Sequence, residues 1–305
     1  MTAPEWQGWV GREGEIVPGP YPVSAAAIGY LAEALDDERL ARHVATAPTV
    51  TAPRSFVTIS SRVPNWRPAG APGPGTFMQA MLVPLPATSA VNLSVDQRYF
   101  APLREGDRVS SRSTIRSIQP KTTRLGDGFI IVEEIEHRTR DALIATTLNT
   151  VLRFSPKSQA PAERKAPAEV ASPEPESDFP PVRVPITMTR LTCGAAAVRD
   201  FSPLHHDVDL ARAVGHPTAF LSYSHQLAIA VSAIGRWFEG DAALRRLRLD
   251  LKLPVYLGKT LTCTAVEQPS APGSERQRTL AIRLSTEDGT CTTGVAELDM
   301  EIDRR

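Results

Sequence analysis

The sequence predicts an α+β fold made of two helix-plus-antiparallel-sheet repeats that pair into one continuous sheet, and three observations carry this. Proline-rich residues 156–182 divide the 305-residue chain in two. Pro102 and Gly106 of the first half match Pro254 and Gly258 of the second in a single register. In each half an apolar helix precedes alternating strands, the arrangement of a sheet curled around a helix.

In chain order, Ser24 is placed to cap a helix over 25–43, where Ile28, Leu31 and Leu35 recur at helical spacing. Residues 64–75, rich in Pro and Gly, predict a surface loop or lid. A strand through Asp96 leads to the Pro102–Gly106 turn, and strands follow over 109–118, 128–138 and 143–154. Residues 156–182 hold almost no large apolar side chain and predict a semi-rigid linker between domains 1–155 and 183–305. The second half repeats the order. A helix over 189–198 comes first, then a short one capped by Asp207 and ended by Gly215, then a long apolar helix over 223–238 behind Ser222. Strands follow over 246–253, 261–266, 277–285 and 291–302. One such sheet alone leaves open edges, so the halves are expected to pair edge to edge, and a homodimer is the expected assembly.

Composition excludes several function classes. Lys plus Arg and Asp plus Glu both number 34, so no global field draws a nucleic acid or an anionic membrane. No apolar run approaches the length of a membrane span and the first residues hold no signal-like core, which makes a cytoplasmic location the expectation. Cys193, Cys263 and Cys291 form no CxxC pair, against both a disulfide framework and a zinc site. No glycine-rich phosphate loop or nicotinamide fingerprint is present.

Chemistry concentrates in Asp200-Phe201-Ser202-Pro203-Leu204-His205-His206-Asp207, an acid, a prolyl turn and two imidazoles within one short run. The run resembles the Asp-x-Asn-Pro-x-His-x-Asp signature of the MaoC-like (R)-specific enoyl-CoA hydratases and 3-hydroxyacyl thioester dehydratases, the hydratase 2 family. Ala211-Arg212-Ala213-Val214-Gly215 and Leu251-Lys252-Leu253-Pro254-Val255-Tyr256-Leu257-Gly258 resemble further parts of that family, and Trp9 to Arg12 with Pro102 to Asp107 resemble its amino-terminal dehydratase domain. The resemblance implies a double hot-dog fold and reversible hydration of a trans-2-enoyl-CoA to a (3R)-3-hydroxyacyl-CoA. It also implies catalysis by Asp200 and His205 jointly, with no metal or redox cofactor and with coenzyme A present only as part of the substrate. Two departures stand out: Ser202 replaces the usual Asn, and Phe220-Leu221 replaces the usual His-Gly before the hot-dog helix.

The residues read alone suit the same chemistry, since an acid and an imidazole on one turn can exchange protons with water. Oxyanion donors are expected from backbone N–H groups near Leu221 and Ser222, where a helix N-terminus favours negative charge. Ser202 and Pro203 shape the turn, Asp207 reads as a helix cap, and His206 as solvated or supporting. His216 and His225 read as structural, and Ser222 and Ser224 as cap and packing residues. A basic row, Arg246, Arg248 and Lys252, either meets coenzyme A phosphates or is merely a solvated strand face. Laid over the second half by its helix, the first places Asp36 against Asp200 and Ala41 against His205, so the imidazole is missing there. That half is then a non-catalytic pocket wall, with room for a bulky or long acyl group. A hot-dog thioesterase and a non-catalytic acyl-CoA-binding subunit of a hetero-complex are the alternative functions.

Overall fold

The computed structural model describes residues 5–63, 76, 78–156, 176–240, 243–269 and 276–300. The expected loop at 64–75 and most of the linker, 157–175, lie outside the described residues.

The first half runs β1 (Val17–Pro18), α1 (Ala25–Leu35), α2 (Glu38–Thr46), α3 (Phe56–Ser61), β2 (Ser89–Tyr99), β3 (Ser110–Thr122), β4 (Gly126–Arg138) and β5 (Leu143–Pro156). The second runs β6 (Val182–Pro185), α4 (Met188–Ala197), α5 (Val208–Ala213), α6 (Tyr223–Trp237), β7 (Leu244–Leu251), β8 (Thr260–Gln268), β9 (Gln277–Thr286) and β10 (Gly289–Asp299). All ten strands form one sheet in the order β1-β3-β4-β5-β2-β7-β10-β9-β8-β6. The halves meet at β2 and β7, antiparallel from Ser94↔Asp250 to Arg98↔Arg246. The seam is reinforced from outside by Arg246, whose guanidinium bonds both oxygens of Asp96 at 2.8 and 2.6 Å. Pairing edge to edge removes the open edge each half would otherwise present.

Alternation places one face of each strand inward. On β7, Leu247 and Leu249 are fully buried while Arg248 is exposed. The apolar side of α6 fills the second half, with Leu227, Ala230, Val231 and Ile234 all buried. The two Pro-x-x-x-Gly turns share one geometry, for Gly106 and Gly258 both sit at φ 88°, a conformation that favours glycine.

Three expectations need correction. The helix over 25–43 is two helices, because Asp36 adopts φ 50° and Asp37 then caps α2 by accepting from the Leu40 N–H at 2.9 Å. The linker does not extend to 182. Asp178 already donates its N–H to the Ala265 carbonyl (2.9 Å), and the Phe179 ring packs on Trp237. The repeat register also moves by one residue. Ser24 and Thr187 are matching N-caps, and Asp36 and Arg199 are matching left-handed residues at φ 50° and 56°. The counterpart of Asp200 is therefore Asp37, and that of His205 is Arg42. No imidazole stands there in either register.

The central helices differ most. α6 has 15 residues and α3 has 6. Beyond α3, the inner face of the first sheet carries Gln97, Glu133, His137, Thr147 and Asn149, all buried. Gln97 bonds Thr147 and Tyr99, and His137 lies 2.9 Å from Ser61 Oγ and from Ser111 Oγ. These polar groups share the face with buried Val95, Tyr99, Ile131, Ile135, Ala145 and Val151, so among the described residues its lining is mixed rather than wholly apolar.

Candidate active site

Asp200 sits just after the left-handed turn that ends α4, its N–H bonded to the Ala195 carbonyl at 2.8 Å. Pro203 starts the single 3-10 turn Pro203–His205, and the His205 N–H donates to the Ser202 carbonyl at 3.1 Å. This turn swings the imidazole back toward the acid, so that His205 Nε2 lies 3.9 Å from Asp200 Oδ1. Nδ1 lies 2.9 Å from the Phe220 carbonyl oxygen. A carbonyl only accepts, so Nδ1 carries the hydrogen and Nε2 of the neutral ring, which faces the acid, is left as an acceptor. Burial holds His205 below the ordinary histidine range, against the opposing pull of Asp200, so the neutral ring is favoured.

The acid has a second partner. Arg62, the residue that ends α3 in the first half, places Nη2 3.2 Å from Asp200 Oδ2 and donates from the same nitrogen to Ser224 Oγ. The sequence reading missed it. A six-residue segment in which Thr58, Ser60 and Ser61 interrupt the apolar residues is too short to signal a helix by periodicity, and nothing in the chain marks Arg62 as facing the other half.

The remaining expected residues fall as follows. Ser222 caps α6, accepting from the His225 N–H at 3.2 Å. Leu221 is corrected as an oxyanion donor. Residues 219–221 run antiparallel to 255–257, and the Leu221 N–H is spent on the Val255 carbonyl at 2.9 Å. The first helical N–H groups behind Ser222 are those a helix leaves without intrahelical partners. Asp207 caps α5 through Leu210, and Gly215 follows at φ 93°. Ser202 makes no side-chain capping bond, and His206 is exposed. His216 lies 3.2 Å from the Tyr256 hydroxyl and stacks on Phe220, which presents its edge to His205. His225 is buried against Gly194 and pushed down to about 3 by desolvation. The basic row is largely neutralised: Arg246 is held by Asp96 and Glu297, and Arg248 by Asp250, while Lys252 is exposed. Neighbouring strands bring Asp96 and Glu297 to Arg246, and Asp250, two residues along the same strand, holds Arg248, so the three do not form a free basic row.

Among the described residues no helix is long and apolar enough to cross a membrane. Residues 10–147 match the model of the FAS1-like dehydratase domain region. No curated protein matches the chain. Solved structures do. A MaoC-like dehydratase is 14% identical with a TM-score of 0.74, over 97% of this chain and 100% of its own. A MaoC-like dehydratase from Phytophthora capsici is 14% identical with a TM-score of 0.67, over 97% and 99%. A Mycobacterium tuberculosis protein described as having a double hot-dog fold is 14% identical with a TM-score of 0.55, over 97% and 98%. The chain thus has a double hot-dog fold similar to that of solved MaoC-like dehydratases, and its first half matches the FAS1-like dehydratase domain region.

Proposed function

We propose that the chain reversibly adds water to the double bond of a trans-2-enoyl-CoA, giving a (3R)-3-hydroxyacyl-CoA, with Asp200 and His205 as the catalytic pair. The observation that carries this is the 3.9 Å between Asp200 Oδ1 and His205 Nε2. Both are acceptors, so they do not bond each other. One water molecule donating a hydrogen to each spans such a gap and keeps a lone pair for the substrate. As its oxygen bonds C3, the π electrons move toward the thioester oxygen, which the N–H groups at the head of α6 stabilise. The proton taken up by the pair then passes to C2. The two groups act as one unit, since coupled sites share their protons. No oxidation state changes, and coenzyme A enters only as part of the substrate.

The test is an ultraviolet assay with crotonyl-CoA and longer enoyl-CoA substrates beside a free-thiol assay. Loss of enone absorbance without thiol supports hydration. Thiol release moves the assignment to a thioesterase, and neither signal to a binding subunit.

A further inference from the structure

The first half has no imidazole opposite His205, yet among the described residues it reaches the site through the side chain of Arg62. Arg62 ends α3, whose six residues are all buried. Ser61, just before it, bonds the Val57 carbonyl at 2.8 Å and lies against His137, itself held by Ser111 and by Thr147 at 3.0 Å. The guanidinium is therefore delivered from a fixed base. It meets Asp200 Oδ2, the oxygen turned away from His205, and from the same nitrogen bonds Ser224 in the first turn of α6. Its carbon lies 5.9 Å from the Tyr223 ring centre. With one oxygen held by the first half, the direction of the other is set.

We propose that Arg62 is a positioning residue for the Asp200–His205 pair. It orients the carboxylate so that Oδ1 faces His205, and it ties that carboxylate to the head of α6, where the thioester oxygen is stabilised. The two parts of the machinery are thus coupled through a residue of the non-catalytic half. The catalytic meaning rests on the hydration reading; the effect of Arg62 on His205 does not. A guanidinium keeps its charge at all working pH values and offers donors in a planar fork, so lysine is an incomplete substitute.

The experiment compares the full chain with Arg62→Gln and Arg62→Lys, each checked for native secondary structure and elution volume. Two quantities are read: kcat and KM for crotonyl-CoA hydration across pH, and the titration midpoint of His205 by nitrogen-15 NMR, assigned with His205→Ala. Arg62→Gln should lower kcat by roughly tenfold to a hundredfold, the scale of a small misplacement, with KM within about threefold. Its His205 midpoint should rise, because the Arg62 charge that opposes protonation is gone. Arg62→Lys should recover the midpoint more fully than kcat. Native kcat and midpoint in Arg62→Gln would overturn the proposal, as would a fall in kcat with an unmoved midpoint and pH profile. If Arg62→Gln does not fold, the Lys variant decides alone: reduced kcat at native KM supports positioning, and native kcat overturns it. A native chain without hydratase activity whose His205 midpoint still moves would refute the reaction and leave the positioning standing.

Discussion

A single acid and a single imidazole meet here because a left-handed residue, Arg199, ends one helix immediately before Asp200 and a prolyl turn follows. Asp200→Asn and His205→Ala should each lower hydration by about 10²–10⁴-fold without loss of fold, and His206→Ala, at an exposed position, should retain most activity. A folded Asp200→Asn or His205→Ala variant with more than about a tenth of native turnover would remove that residue from the pair. Glu133 offers a second prediction. It is fully buried on the inner face of the first sheet and desolvation raises it from 4.5 to about 7. The folded state therefore binds its proton more tightly than the unfolded state, so this group favours folding at low pH and loses that contribution as pH rises through about 4.5 to 7. Glu133→Gln should accordingly be more stable than the native chain at pH 8, by on the order of 3 kcal/mol, and lose that advantage at pH 4. Parallel denaturant titrations at the two pH values decide it.

At the scale of elements, the site depends on α4 and α6 lying close enough to share a ring. A Cβ on Gly194 would stand 1.8 Å from the Cε1 of buried His225. Alanine normally stabilises a helix interior by up to about 1 kcal/mol over glycine, but overpacking a closed core costs about 1–3 kcal/mol and the clash should dominate. Gly194→Ala should lower the melting temperature and hydration together, and adding His225→Ala should restore much of the stability; a neutral single variant would show that the helices have slack. Much at this scale was legible in the sequence. Alternation gave the strands, hydroxyl side chains at Ser24 and Ser222 and the carboxylate of Asp207 gave the helix starts, and Gly106 and Gly258 gave matching turns. The break at Asp36 was hidden because helical periodicity continues through Leu40, while left-handed geometry there depends on tertiary packing against Arg190, which bonds both the Ala34 carbonyl and Asp36. Arg62 was hidden for a related reason. Its role is set by the other half, and spacing along one chain carries no record of a contact 138 residues away.

For the whole molecule, two buried imidazoles oppose Glu133. His137 and His225 are both pushed down to about 3 by desolvation. Each binds its proton more readily when unfolded, so between about 6.5 and 3 stability falls as pH falls. Global stability should therefore peak near neutral pH and decline steeply in acid; calorimetry from pH 4 to 8 checks the shape, and a flat profile would refute it. The halves also depend on each other. Residues 183–305 alone would expose the β7 edge and lack Arg62, so this fragment should aggregate or self-associate and be nearly inactive; a soluble, fully active monomer would contradict the pairing. The seam between β2 and β7 has a further consequence. Because hydrogen bonds across that seam, and Arg62 across the site, hold the halves together, peptide continuity between them is not what keeps the molecule whole. Cleavage at a protease site inserted within 157–175 should leave a one-to-one pair that travels as a single species and keeps its turnover. In evolutionary terms such a chain is open to fission: the same fold could be encoded as two polypeptides, one bringing Asp200 and His205 and the other the guanidinium of Arg62.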